Sequence, residues 1–402
     1  MIRRQQPFVG PGNNSTRHVA LNGKRFASRA TPRNINRSLI FAQVRVRQPI
    51  SRAELSRRTG LQRSTVSIIV EELIAKRWIV EGEIGQVPRG RHPTMIQLNS
   101  QRGVLALDIH PSEVTIAVAD LSGRVVSQNV FMFPSDPSKV IACVLGGIRK
   151  TIKANKSMEF DGVGICLPGR TDRNLQKFVF APRLHWPIAE LKSRIHRATG
   201  LPVEMDNVAN ACVLAEVWFG DSDGAHDLVV VNVSEGIGIG IFANGKILRG
   251  ENGMAGEFGH VQLFPDPGLL CECGNYGCWE TLASNTAALR YFRESGAWEG
   301  KDAGFGELVR LALDGGKAAI DALVRMSSYL GRGIRMIISS LDPKEIVIVG
   351  DVCSAWHLLE PGILAEMKQN SLSNPPLLRR TNHGNSARLT GAVALILSKV
   401  SA

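Results

Sequence analysis

Between Gly256 and Glu280 the chain reads GEFGHVQLFPDPGLLCECGNYGCWE, and no other stretch restricts the fold so tightly. Cys271, Cys273 and Cys278 fall within eight residues, and His260 lies eleven residues before the first of them. Three thiolates and one imidazole at that spacing can close a tetrahedral Cys3His site, a ligand set that suits structural rather than catalytic zinc. Gly274 and Gly277 allow the tight turn that returns Cys278 to the CxC pair, and Gly259 leaves room beside His260. The chain has seven cysteines, an odd number that does not resemble a secreted disulfide framework.

Glu257 precedes His260 by three residues and Glu280 follows Cys278 by two, so a bound ion would immobilise the backbone that carries both carboxylates. Held this way they can accept the hydroxyls of a polyol. Equally, they can orient the metal ligands through hydrogen bonds.

The charge is unevenly placed. Residues 1–98 contain 18 Lys+Arg against 5 Asp+Glu, whereas the remaining 304 contain 30 against 31. A basic module on a nearly neutral body is the electrostatic footprint of a nucleic-acid reader. At 402 residues the chain has room for two or three domains. No apolar run approaches the roughly 20 residues of a membrane span, and the N-terminus lacks the apolar core of a signal peptide. A cytoplasmic protein with no membrane partner is expected.

Residues 1–33 are rich in Gly, Pro, Asn, Ser and Arg and contain no acid, which predicts a disordered basic arm. Residues 34–98 read as a winged helix-turn-helix. A helix from Asn34 ends before Pro49. Ser51 and Glu54 have the spacing of a capping box, Thr59-Gly60-Leu61 forms a turn, and Gln62 to Lys76 places Val66, Ile69, Val70 and Leu73 inward. The first turn of that last helix offers Gln62, Arg63, Ser64, Thr65 and Ser67 to base edges in a major groove. Strands at Trp78–Glu81 and Pro93–Leu98 flank a wing whose tip carries Arg89 and Arg91, side chains suited to a narrow minor groove.

The body opens with strands at Gly103–Asp108 and Val114–Asp120, a turn at Ser122-Gly123, a helix to about Ala154 and a strand at Gly162–Leu167. Further helices are predicted from Ala283 and Phe305, a buried strand at Lys344–Gly350, and a closing helix at Leu389–Val400. Cys143, Cys166, Cys212 and Cys353 sit in apolar surroundings and read as core residues.

GExGH followed by CxCGxxGCxE resembles the signature of the ROK family of sugar kinases and sugar-responsive transcriptional repressors, and the resemblance extends from about Asn34 over nearly the whole chain. It implies an α/β fold: an N-terminal winged helix-turn-helix before a two-lobed, actin-like, sugar-kinase-like body. The first lobe would span 99–208, completed by 388–402. The second, 209–387, would carry the zinc site and an oligomerisation surface. By the family pattern His260, Cys271, Cys273 and Cys278 bind zinc, Glu257, His260 and Glu280 face a sugar, and Pro168-Gly169 and Asn207 match sugar-pocket positions. Arg183 and Trp186 fall in a segment often placed near that cleft.

Three departures from the kinase pattern stand out. The first phosphate loop, normally DxGxT, reads Asp108-Ile109-His110-Pro111-Ser112, adding bulk at 110 and removing an N–H at 111. The second, normally TGxG, begins with Glu235, a carboxylate that would face a polyphosphate. Val208 occupies the general-base position of NDAN, and losing such a base typically costs about 10²–10⁴-fold. The expected function is therefore a non-enzymatic repressor of carbohydrate genes. Its expected partners are double-stranded operator DNA, a sugar or sugar-derivative effector and further copies of itself as a homodimer or homotetramer. A sugar kinase with an added DNA-binding arm is the alternative.

Overall fold

The computed structural model describes residues 32–84, 92–171, 178–181, 184–220, 227–263, 268–297, 304–369 and 374–400. The predicted arm therefore lies almost wholly outside the described residues, as do Arg89 and Arg91 of the wing and Arg183.

Helix α1 (Pro32–Arg47) begins two residues before the apolar pattern does, since proline is well suited to a first helical position. It buries Ile40, Phe41 and Val44. Strand β1 (Ile50–Ser51) leads into α2 (Arg52–Thr59), where the Ser51 hydroxyl accepts the Glu54 N–H at 3.2 Å. Only this half of the capping box forms, because the Glu54 carboxylate is taken by Arg57 and Arg58. Gly60 closes α2 in the left-handed region, φ 71°. Next, α3 (Arg63–Ala75) buries Val66, Ile69, Val70 and Leu73 against α1 and α2, with Gln62 at its N-cap rather than within it. Strands β2 (Ile79–Ile84) and β3 (Thr94–Leu98) pair antiparallel, and β1 adds to the other edge of β3. The unit is thus three helices with a three-stranded antiparallel sheet.

The next unit contains β4 (Arg102–Ile109), β5 (Glu113–Asp120), β6 (Val125–Met132), α4 (Val140–Ala154) and β7 (Glu159–Leu167). A short pair, β8 (Arg170–Thr171) with β9 (Phe178–Phe180), precedes α5 (Leu191–Thr199), β10 (Val203–Asn207) and α6 (Val208–Phe219). Its sheet runs β10-β7-β4-β5-β6. Leu105, Leu107, Ile116 and Val118 pack under α4 and α5. Small residues on the opposite face, Ala106, Ala117 and Ala119, let other helices approach closely.

The second unit contains β11 (Leu228–Val233), β12 (Ile237–Ala243), β13 (Lys246–Ile247), α7 (Glu280–Ala283), α8 (Asn285–Glu294), α9 (Phe305–Leu313) and α10 (Lys317–Leu341). It continues with β14 (Glu345–Val349), α11 (Trp356–Lys368) and β15 (Leu377–Arg380), and α12 (Ala387–Val400) ends the chain's described part. The sheet order β13-β12-β11-β14-β15 repeats the first: three antiparallel strands, then two parallel ones. Helix α12 crosses back to pack on β4, β7 and β10 beside α6. Of the four scattered cysteines, Cys166, Cys212 and Cys353 are buried, whereas Cys143 is half-exposed on α4. No helix among the described residues is long and apolar enough to cross a membrane.

Candidate functional site

Between the two sheets lies a cleft of about 870 Å³, open solvent at its mouth included. Its walls come from chain segments that the two lobes bring face to face.

Asn207 ends β10 and caps α6. Its side-chain oxygen accepts the Ala209 N–H at 2.7 Å, while its amide donates to the Gly169 carbonyl. One residue thus ties the start of α6 to the turn after β7, and both Gly169 and Asn207 line the cleft. Val208, the first residue of α6, is buried and presents an apolar surface there. Asp206 offers no replacement for a base at 208, because the strand ends at Asn207 and the carboxylate is turned away into a two-pronged pair with Arg249, at 2.5 and 3.0 Å.

Across the cleft, Glu257–His260 forms a single short 3-10 turn pressed against β12. The glycines of GEFGH explain this closeness: a Cβ on Gly256 would lie 2.1 Å from the Ile239 carbonyl oxygen, and one on Gly259 2.3 Å from that of Ile237. Glu257 and His260 consequently point into the cleft, with Glu257 Oε2 3.7 Å from His260 Nε2. Burial raises the Glu257 carboxyl above its ordinary value, and His260 and Arg170 partly oppose the rise.

The other imidazole nitrogen meets the cysteines. His260 Nδ1 lies 3.5 Å from Cys271 Sγ, and Cys273 Sγ lies 3.7 Å from Cys278 Sγ. One ligand atom from each of His260, Cys271, Cys273 and Cys278 lies within 4.8 Å of every other, an arrangement able to hold one metal ion. Burial pushes the Cys271 thiol up and the Cys278 thiol up to about 11. Although burial acts against it, Cys273 is held below the usual thiol value by the Asn275 backbone N–H and the neighbouring thiols. Trp279, fully buried on α10 with its indole N–H donating to Tyr329 O at 2.9 Å, anchors the loop.

Glu280 joins both features. Its carboxylate accepts the Cys271 thiol at 3.0 Å and the Ile237 N–H at 3.4 Å, and it also lines the cleft. Glu280 therefore lies at the junction of the cysteine cluster and the cleft.

The far end of the cleft is lined by an interaction with no sequence signal. Asp108, at the end of β4, is buried against Arg388 of α12 at 2.8 Å and His110 Nε2 at 3.1 Å. Burial alone would raise the Asp108 carboxyl, yet Arg388 and His110 hold it below the usual range. Arg388, Asn232, Ser234 and Glu272 also line the cleft and were not singled out from the sequence. Trp186 does not line it. Its ring, expected near the cleft, is buried in the first lobe in a T-shaped contact with Phe133, centroids 5.9 Å apart.

In the N-terminal unit, Gln62, Arg63 and Ser64 are exposed and Thr65 and Ser67 half-exposed around the N-terminal end of α3. Ile68 shares that region, 57% exposed, an apolar residue the sequence reading passed over.

The model of the ROK family matches residues 104–399. The chain is 30% identical over 373 residues to a xylose repressor of Bacillus spizizenii, covering 91% of this chain and 95% of that one. Among solved structures, a ROK family transcriptional regulator homologous to the MLC protein of E. coli superposes with a TM-score of 0.75 at 28% identity, covering 92% of this chain and 99% of that one. A ROK family glucokinase from Streptomyces griseus, in complex with glucose and AMPPNP, superposes with a TM-score of 0.66 at 26% identity, covering 73% of this chain and 98% of that one. A model match over most of the chain, a regulator covered almost end to end and a shared two-lobed body lead to one conclusion: the chain belongs to the ROK family.

Proposed function

We propose that the protein is a sugar-responsive transcriptional repressor whose winged helix reads operator DNA and whose cleft binds the releasing sugar. Cleft chemistry carries this reading. One end keeps a set of hydroxyl partners, Asn207, Glu257, His260 and Glu280, while the other has a buried Asp108–Arg388 pair, His110 and Pro111 where phosphates would need free backbone amides. Val208 cannot take a proton from a substrate hydroxyl. The glucokinase is covered almost entirely by 73% of this chain, whereas the regulator spans 92% of it, which favours a use for the N-terminal unit over an added arm on an active kinase.

Zinc is the ion we assign to His260, Cys271, Cys273 and Cys278. With Zn–S near 2.3 Å and Zn–N near 2.0–2.1 Å, the edges of a tetrahedron are about 3.5–3.8 Å; the Cys273–Cys278 and Cys271–His260 edges, 3.7 and 3.5 Å, have that length, and all six lie within 4.8 Å. A closed set of four leaves the ion structural. It would fix the ring of His260 so that Nε2 stays turned to the cleft.

In this reading Arg63 of α3 and its N-cap Gln62 read base edges, Ser64, Thr65 and Ser67 contact bases or phosphates, and Ile68 meets a thymine methyl. Arg89 and Arg91 would serve the minor groove. Two-fold operator symmetry would require a dimer or tetramer. Because the relative named above is a xylose repressor, D-xylose is the first sugar to try, and Val208 suits a ligand with one hydroxyl fewer at that wall. A thermal-shift screen of monosaccharides and sugar phosphates on the purified chain tests the cleft: one or more should raise the melting temperature, and Glu257→Gln should abolish that rise. No shift with any sugar would remove the effector half of the reading.

A further inference from the structure

Among the described residues, two contacts of different kinds join the N-terminal unit to the body. At the first, the Trp78 indole N–H donates to Asp161 at 3.1 Å and Arg77 pairs with Glu159, both acceptors being at the start of β7 in the first-lobe sheet. That anchor is fixed to a strand. At the second, Arg45 of α1 lies over the rings of Trp218 and Phe219, its guanidinium carbon 4.8 and 4.6 Å from their centroids, and donates to the Trp218 carbonyl.

Trp218 and Phe219 are the last two residues of α6, and Asn207 in the cleft is that helix's N-cap. Trp218 O is one of the final carbonyls that a helix cannot satisfy internally, and a cation there complements the helix dipole. Arg45 therefore closes the C-terminal end of a helix whose N-terminal end is closed in the cleft, about 18 Å away at 1.5 Å per residue over twelve residues. Helix α6 packs closely on β12 and α12, with the Ala209 and Ala211 carbonyls of its first turn opposite Gly240 and Gly391. The apolar core is continuous along this path: Ile40, Phe41 and Val44 of α1 share one buried cluster with Val208, Cys212 and Val213 of α6, while the α4 face of the first sheet forms a separate one.

We propose that Arg45 is the positioning residue that couples the cleft to the DNA-binding unit: a displacement of α6 at Asn207 shifts its Trp218 end and pivots α1 about the fixed Trp78–Asp161 anchor. This rests on the reading of the cleft as the effector site and deepens it. Arg45 needs no carboxylate partner for this role, because it grips the end of one helix and two aromatic faces.

The test perturbs the cleft end without any ligand, so it stands apart from whether the cleft takes a sugar. Hydrogen exchange is followed in the full chain for wild type, Asn207→Ala, Arg45→Ala and the double variant, comparing α1 with α4. Losing the cap at 207 should speed α1 exchange about fivefold, the population change that one helix cap supplies, and leave α4 unchanged. With Arg45→Ala already present, α1 should respond to Asn207→Ala less than about twofold, and Arg45→Lys should restore part of the response. Asn207→Asp, which keeps the cap acceptor toward Ala209 and loses the donor toward Gly169, is the second probe should Asn207→Ala unfold. The proposal is overturned if α1 ignores both substitutions at 207, if it responds equally without Arg45, or if α1 and α4 respond alike.

Discussion

Asp108 and Arg388, separated by 280 positions in sequence, form a buried ion pair that joins the first strand of the body to its last helix. Arg388 and His110 both line the cleft, so the pair lies at its wall. There the Asp108 carboxylate is engaged by the protein itself, with His110 on its other oxygen.

Because the pair is buried, removing only the cation should be costly. Arg388→Met should destabilise the protein by roughly 3–5 kcal/mol at neutral pH, the usual consequence of stranding a buried charge. The sign with pH is set by the depressed Asp108 carboxyl: in wild type its contribution is complete above the unfolded carboxyl value near 4 and is lost as pH falls through the lower folded value. In Arg388→Met the carboxyl rises instead, so the deficit should narrow between pH 7 and pH 5. Melting temperatures showing no deficit, or one that stays constant across that range, would contradict the stranding of Asp108.

Cys273→Ser should purify without its metal and melt at lower temperature, and any sugar-induced shift should weaken because His260 loses its fixed orientation. Elemental analysis finding a full equivalent of zinc in that variant would contradict the assigned ligand set.

Arg63→Ala should weaken operator binding by about 1–3 kcal/mol, the worth of one good base contact, and affect unrelated duplex DNA much less. Equal losses on both, measured at fixed salt, would make Arg63 a phosphate contact only.

Val208→Asp should fold, since an acid in the first turn of α6 suits the helix dipole. It should nevertheless transfer no phosphoryl group from ATP to any monosaccharide, because a base worth about 10²–10⁴ cannot act where the nucleotide end is closed by Asp108, Arg388 and Pro111. Turnover in a coupled assay would show that the nucleotide side still functions.

What the sequence made legible was local. The spacing of Cys271, Cys273 and Cys278 is a short-range constraint, and the loop brings them together with His260. The inward faces of α1 and α3 follow from helical period, and the ends of α2 from Ser51 and Gly60. Relationships made by the fold left no mark. Arg388 is an ordinary arginine in a closing helix, and Arg45 looks like one more positive charge in a basic module until α6 is seen to end beneath it. Trp186 misled for the converse reason: sequence position placed it in a cleft-associated segment, and the fold buries its ring in the first-lobe core beside Phe133.

The account is tested most directly by following labelled DNA from the protein's own promoter region by fluorescence anisotropy while ADP is measured in the same sample. D-xylose and a panel of other monosaccharides are added with Mg-ATP. At moderate salt the protein should bind this DNA, at least one sugar should release it, and ADP should stay at background. Indifference to the DNA together with sugar-dependent ADP formation would contradict the account.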